Sequence, residues 1–373
     1  MILSGRAVTI SRTRIVYGPH ALGDLRKLIS SRDYNKRKVF VLVDANTGKH
    51  CLPLLVKSCP ELDSASVFEI EEGEDSKSLI HATRIWDEFL SAYADRSSIL
   101  INLGGGVITD LGGFVAAGLK RGISYINVPT SLMGMADASI GGKTGVNHQG
   151  LKNQLGSFYS PEAVFIDPRF LKTLPAAQLR SGFAEVIKSA LIGDPVLWHR
   201  MLKLGVVNIL SMDTSGKFWQ DMIMKTVSFK NRIACQDFRE HKLRKILNFG
   251  HTLGHALESL ILDDTGDQLL HGDAVAMGMI AATWLSQLKT GLGEKETEEI
   301  SSFLKTGYRA QIGHFSASRD ATSVLMMYKQ ILHDKKIKDG QAWFTLLRAA
   351  GKPVTNIPVV GKEMQESLDV VFN

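Results

Sequence analysis

Two hydrophobic rhythms divide this chain. In the first half, short runs rich in β-branched and aromatic residues alternate with stretches of helical period, whereas beyond about residue 175 the helical period takes over. Arg6 to Ile10 and Arg14 to Tyr17 predict a pair of strands. Val39 to Val43, Ser97 to Leu103 and Ile123 to Val128 are nearly continuous apolar runs, the form taken by parallel strands covered on both faces. Between the first two, Leu79, Ile80, Ile85, Trp86 and Phe89 mark the apolar face of a helix, entered through the polar turn Glu74 to Ser78, which supplies a cap. Strands and helices alternating in this way predict an open α/β sheet.

Ala163 to Ile166 is the last strand-like run of that half. Pro168 and Pro175 mark the passage, which places a boundary near residue 175. Ala184 to Leu210, Lys217 to Arg239, Gly250 to Leu262 and Gly272 to Leu288 then read as helices, with Trp343 to Leu347 as a lone β-like run. The expected architecture is an α/β domain over residues 1–175 and a mainly α-helical domain over 176–373, without internal repeats.

Composition narrows the function classes. A chain of 373 residues exceeds what one hydrophobic core usually serves, which agrees with two domains. Lys and Arg outnumber Asp and Glu by 44 to 38, too slight an excess for a nucleic-acid binder. Cys51, Cys59 and Cys235 form no CxxC pair and read as reduced thiols. The first residues lack the apolar stretch of a secretory leader, and no run reaches the roughly 18 apolar residues of a membrane span. The expectation is a cytosolic protein.

Three groups of residues carry candidate chemistry. Leu103-Gly104-Gly105-Gly106-Val107-Ile108-Thr109-Asp110 joins a predicted strand to a predicted helix, where glycines let backbone N–H groups approach a pyrophosphate. Asp44, ending the first parallel strand, either accepts from ribose hydroxyls or caps a helix. Asp137 to Lys143, followed by Lys152 and Asn153, pairs cations with glycines in the manner of an anion clamp or of a solvated turn; it is no GxxxxGK[ST] loop. Finally Glu185, the pair His251 and His255 four residues apart on one helix face, and His271 form a carboxylate–imidazole set suited to a catalytic zinc ion. HExxH is absent. Lys188, Lys230, Arg244 and Asn248 flank these elements and suit an anionic substrate.

These motifs occur in one order: Gly104 to Asp110, Asp137 to Lys143, Phe183-Ala-Glu-Val-Ile-Lys188, Leu247-Asn-Phe-Gly-His-Thr-Leu-Gly-His255 and Leu270-His-Gly-Asp273. Together they resemble the sugar-phosphate cyclases, most closely the 3-dehydroquinate synthases, from about Asp44 to Lys336. The resemblance implies an N-terminal NAD-binding α/β domain and a C-terminal helical domain that binds metal and substrate, within a homodimer. Asp44, Glu74, Lys77, Gly105, Gly106, Asp110, Thr130, Ser131 and Lys152 would line the dinucleotide. Glu185, His251 and His271 would hold Zn²⁺ or Co²⁺, and His255 would move from the metal to the substrate. Lys143, Asn153 and the partner subunit's Arg121 would hold a phosphate, and Lys230 and Arg244 a carboxylate. Asp137, Lys188, Asn248, His255 and Lys335 would complete the substrate site, Lys335 being hard to separate from Lys336.

The substrate so implied is 3-deoxy-D-arabino-heptulosonate 7-phosphate, which loses phosphate after transient oxidation by NAD and closes to 3-dehydroquinate, a step towards aromatic amino acids. A cyclase acting on sedoheptulose 7-phosphate and a metal-dependent polyol dehydrogenase are the alternatives.

Overall fold

The apolar runs of the first half form one seven-stranded sheet in the order β1 (Arg6–Thr9), β2 (Arg14–Tyr17), β9 (Ala163–Ile166), β6 (Ser124–Pro129), β5 (Ile99–Gly104), β3 (Val39–Asp44) and β4 (Ser66–Ile70). The computed structural model describes residues 6–9, 13–149, 151–264, 269–318, 337–338 and 341–372. Only β1 runs antiparallel, against β2; the other pairings are parallel. Every residue of β5 is buried, as an apolar run beneath helices on both faces should be. Helices α4 (Leu79–Ser91) and α5 (Gly106–Gly118) send Ala82, Ile85, Phe89, Leu111 and Val115 into a core shared with Phe40, Leu42 and Leu100. Phe40 and Phe89 stack there with ring centroids 4.4 Å apart, an arrangement that contributes about 1 kcal/mol beyond the area buried.

The chain divides into two units: Met1–Pro175 with Asp213–Arg239, and Ala176–Met212 with Glu240–Asn373. The helix α9 (Lys217–Gln236) therefore belongs with the α/β unit, although it follows three helices of the other.

Several expectations need correction. Ile80 lies on the outer side of α4, 80% exposed, because it falls off the face carrying Ala82, Ile85 and Phe89. The glycine- and lysine-rich segment after Gly142 is an antiparallel hairpin, β7 (Lys143–His148) with β8 (Leu151–Phe158). The run Ala184 to Leu210 is three helices, α6 (Ala176–Gly193), α7 (Pro195–Leu204) and α8 (Val206–Ser211). Asp194 caps α7 with Pro195 behind it, and Gly205 at φ 78° turns the chain into α8. Trp343 to Leu347 is not alone: β11 (Gln341–Leu347) sits between β10 (Ile337–Lys338) and β12 (Pro353–Val359).

The second unit is otherwise helical, with α10 (His251–Asp264), α11 (His271–Thr290), α12 (Glu294–Gly307), α13 (Arg309–Ser318) and α14 (Gly361–Phe372). Glycines set its closest contacts. A Cβ on Gly278 of α11 would lie 2.0 Å from the Gly250 carbonyl oxygen at the start of α10, and one on Gly272 would lie 1.8 Å from the Ser181 carbonyl oxygen of α6. No side chain larger than hydrogen fits at either place. Among the described residues, no helix is long and apolar enough to cross a membrane.

Candidate active site

In the first unit, β3 and β5 are hydrogen-bonded neighbours while β4 lies outside β3 and β6 outside β5, so the strand order reverses between them. Open α/β sheets bind ligands beyond the carboxyl ends of the strands at such a reversal. Asp44 ends β3, and Gly104 to Gly106 lead from β5 into α5. Asp44 fills its helix-cap role: one carboxylate oxygen accepts from Thr47 N–H at 2.8 Å, and Thr47 Oγ1 accepts from Asp44 N–H at 2.9 Å. Gly105 caps α5 without a side chain, and the Ser131 hydroxyl stands 3.1 Å from where its Cβ would be. Thr130 N–H donates to the Gly104 carbonyl at 3.0 Å, which ties the turn after β6 to the glycine turn. A methyl-free backbone at a helix N-terminus beside a strand-end carboxylate fits a dinucleotide.

Lys77 is the hub beside that turn. Its buried ammonium donates to Asp110 Oδ2 and to Asn153 Oδ1, each at 2.6 Å. Asn147, absent from the sequence-based set, joins the same residues: its amide donates to Glu74 at 2.9 Å, its Oδ1 accepts from Asn153 N–H at 3.0 Å, and its own N–H donates to the Lys77 carbonyl at 2.7 Å. Lys152 Nζ stands 3.8 Å from Glu74. Residues expected on the cofactor (Glu74, Lys77, Asp110, Lys152) are thus joined in one network with one expected on phosphate, Asn153, which itself bonds Lys77 and Asn147. No local signal in the sequence marks Asn147, since the strands KTGVNH and LKNQLGSF do not alternate apolar with polar residues.

Asp137 sits in a π-helical turn, Gly134–Ala138, the kind of local widening found at functional positions. From α9, Lys230 Nζ donates to the Asp137 carbonyl at 2.5 Å and pairs with its carboxylate at 2.6 Å. Lys143 opens β7 and is exposed. Arg121, also exposed, has φ 68° between Lys120 at 51° and Gly122 at 109°, three successive residues in left-handed backbone.

The second unit gathers its residues through the glycine contacts. Gly272 against Ser181 brings the start of α11, and so His271, onto α6, which carries Glu185; Gly272 N–H also donates to the Ser181 hydroxyl at 3.0 Å. Gly278 and Gly250 bring α10, with His251 and His255, onto α11. Arg180 secures the seam, placing two guanidinium nitrogens 3.1 and 3.2 Å from the buried Asp273 carboxylate.

The result is a buried carboxylate facing imidazoles. Glu185 Oε1 lies 3.4 Å from His251 Nε2 and 3.7 Å from His271 Nε2, and Lys188, one turn along α6 and equally buried, pairs with Oε2. These are charge contacts: neither Glu185 oxygen has a hydrogen bond of ordinary geometry. Burial alone would raise the Glu185 pKa, but Lys188 and His271 outweigh it and hold it at about 2. Burial would lower that of His271, yet Glu258 and Glu185 lift it to about 10. His251, His255 and His271 place ring nitrogens within 4.8 Å of one another. An ionised carboxylate with one oxygen paired to Lys188 and the other facing imidazole nitrogens is a donor set that fits a divalent cation with an open position. Arg244 is buried, and the Asn248 amide donates to Glu240 at 2.6 Å. Lys335, with Lys336, lies outside the described residues.

One buried acid of this site was missed in the sequence. Glu258 faces His271 Nδ1 at 3.2 Å, and its spacing of seven from His251 on one helix is the signal that could have found it.

Comparison with known proteins gives the family. Profiles described as "3-dehydroquinate synthase N-terminal" and "3-dehydroquinate synthase C-terminal" match residues 67–181 and 182–337. A 3-dehydroquinate synthase from Parabacteroides distasonis is 38% identical over 361 residues, 96% of this chain and 98% of its own length. Another from Dehalococcoides mccartyi is 42% identical over 319 residues, 85% of each chain. A solved 2-epi-5-epi-valiolone synthase from Streptomyces hygroscopicus, with NAD⁺ and Zn²⁺ bound, is 24% identical with a TM-score of 0.81, covering 100% of this chain and 99% of its own; at that identity it speaks for the fold. By matches that run nearly end to end, this chain belongs to the 3-dehydroquinate synthase family.

Proposed function

We propose that this chain converts 3-deoxy-D-arabino-heptulosonate 7-phosphate into 3-dehydroquinate and inorganic phosphate. The observation that carries this reading is the match, over 96% of this chain and 98% of the relative, to a protein named for that product. The solved cyclases that share the fold at a TM-score of 0.81, a valiolone synthase and a 2-deoxy-scyllo-inosose synthase, are only 23–24% identical.

Asp44, Gly105, Gly106, Thr130 and Ser131 would hold NAD, with Glu74, Lys77, Asp110 and Lys152 beside it. Glu185, His251 and His271 would hold the cation, Zn²⁺ or Co²⁺, a set supported by the approach of Glu185 to those two imidazoles; His255, whose ring nitrogen lies within 4.8 Å of theirs, goes to the substrate on the family resemblance alone. When bound, NAD would supply reversible acceptance of a hydride from the carbon bearing a ring hydroxyl, and the cation would supply Lewis-acid polarisation of that hydroxyl's oxygen. The remaining work falls to the chain. Lys143 and the partner subunit's Arg121 neutralise the phosphate that leaves, and Asn153 hydrogen-bonds to it. Lys230 and Arg244 orient the carboxylate, the group that distinguishes this substrate from sedoheptulose 7-phosphate. Asp137, Lys188, Asn248, His255 and Lys335 face the hydroxyls and the carbonyl, where proton transfers accompany elimination and ring closure. The free cysteines Cys51, Cys59 and Cys235 support a reducing, cytosolic setting, and the partner's Arg121 makes the working unit a homodimer.

Purified protein given NAD⁺, Zn²⁺ and the heptulosonate phosphate is expected to release phosphate stoichiometrically with no accumulation of NADH. Robust release from sedoheptulose 7-phosphate but none from the heptulosonate would overturn the substrate assignment. Steady NADH production from a simple polyol would support the dehydrogenase alternative instead.

A further inference from the structure

Each of the two imidazoles that face Glu185 has its other ring nitrogen engaged, but by different partners. His251 Nδ1 lies 3.2 Å from the Phe249 carbonyl oxygen, a neutral acceptor. His271 Nδ1 lies 3.2 Å from Glu258 Oε2, a carboxylate only 4% exposed. Because a carbonyl or carboxylate oxygen at Nδ1 holds a proton there, Nε2 is the nitrogen left in both rings to bind a cation, which on entering displaces the second proton of His271. The carboxylate does more than orient: it draws on the N–H proton and makes His271 the stronger electron donor.

Glu258 reaches this place by helical spacing. It follows His251 by seven residues and His255 by three, so α10 presents all three on one side, while His271 arrives on α11. Burying a carboxylate is costly unless a charge or a hydrogen bond compensates it, and the facing imidazole does so. A packing role alone would be served by leucine or methionine at lower cost.

We infer that Glu258 is a positioning residue for the cation site: it fixes His271 in the Nδ1–H form and raises the affinity of the Glu185, His251 and His271 set for a divalent cation. The inference rests on the reading of that set as a metal site. Second partners of this kind typically alter metal affinity 10- to 100-fold.

The test measures Zn²⁺ affinity by competition with a chromophoric chelator, together with the visible spectrum of the Co²⁺-loaded protein, for E258Q, E258A, H271A and the parent. Glutamine keeps an oxygen that can accept from Nδ1–H and removes the charge; E258Q is expected to lose about tenfold in Zn²⁺ affinity and to shift the Co²⁺ bands. E258A is expected to lose up to about a hundredfold. NAD⁺ binding, followed by fluorescence, should stay within twofold of the parent in both, which separates a local effect from loss of fold. If E258A is unstable, E258Q decides alone. Affinity within twofold of the parent in E258Q, with H271A markedly weakened, would overturn the role of Glu258 and leave the metal site standing. Unchanged affinity in H271A would overturn the metal site itself.

Discussion

The two units assemble their candidate residues by opposite means. In the α/β unit Asp44 ends β3, Gly105 follows β5 and Thr130 follows β6, while Lys77 links Asp110 and Asn153 through polar side chains. In the helical unit the candidate residues sit within helices or at their first residue, held together by backbone contacts at glycines. A polar network can lose one member and keep its neighbours in place, whereas a seam with hydrogen as its only tolerated side chain admits no such loss. Damage to the first region should therefore be graded, and damage to the second abrupt.

Gly272→Ala tests the abrupt case without touching a ligand. Its methyl group would meet the Ser181 carbonyl oxygen, so α11 has to shift away from α6. Overpacking of this kind costs about 1–3 kcal/mol, and Zn²⁺ affinity is expected to fall by at least about a hundredfold as His271 leaves Glu185, since a misplacement of about 1 Å is enough for that. A thermal melt and a chelator competition would show both; retained affinity would mean that the seam does not set the site.

Lys77→Met tests the graded case. Asp110 and Asn153 each lose a charge-assisted hydrogen bond worth about 1.5–3 kcal/mol, so NAD⁺ affinity and the KM for the phosphorylated substrate should each worsen by roughly 10- to 100-fold. The melting temperature should fall by several degrees, while Zn²⁺ affinity should stay at the parental value. A fall in Zn²⁺ affinity would break the contrast between the two regions.

The smallest expected effect is one of pH. His271 holds its proton up to about pH 10, while Glu185, at about 2, is ionised throughout the neutral range. Cation entry displaces that one proton, so affinity for Zn²⁺ should rise with pH, by about tenfold from pH 7 to pH 8. NAD⁺ affinity over the same interval should move by less than about twofold. A flat Zn²⁺ profile would place the proton elsewhere.

What could be read from the sequence follows the same division. The buried strands, the Gly104–Gly106 turn and the spacing of His251 and His255 are local patterns, and each forms the element it predicts. The hairpin β7–β8 escaped notice because its strands, KTGVNH and LKNQLGSF, carry no apolar–polar alternation. The break of Ala184 to Leu210 was signalled by Asp194-Pro195 and Gly205, which a periodicity count passes over. Pairings such as Lys230 with Asp137 or His271 with Glu258 join residues on separate elements, where one chain's sequence carries no register. The discontinuous unit is harder still, since nothing in α9 marks it as belonging with residues before 175.

Asp44 carries an obligation apart from any ligand. One of its oxygens is committed to Thr47 N–H, and its own N–H to the Thr47 hydroxyl, so the six-residue helix after β3 starts on that pair. Retuning the chain towards a dinucleotide with a 2′-phosphate would remove this carboxylate first, and an arginine or alanine there would leave Ala45–His50 without its cap. Serine or asparagine would discharge the negative charge and keep the cap, which makes them the substitutions through which cofactor preference and helix integrity can be varied separately.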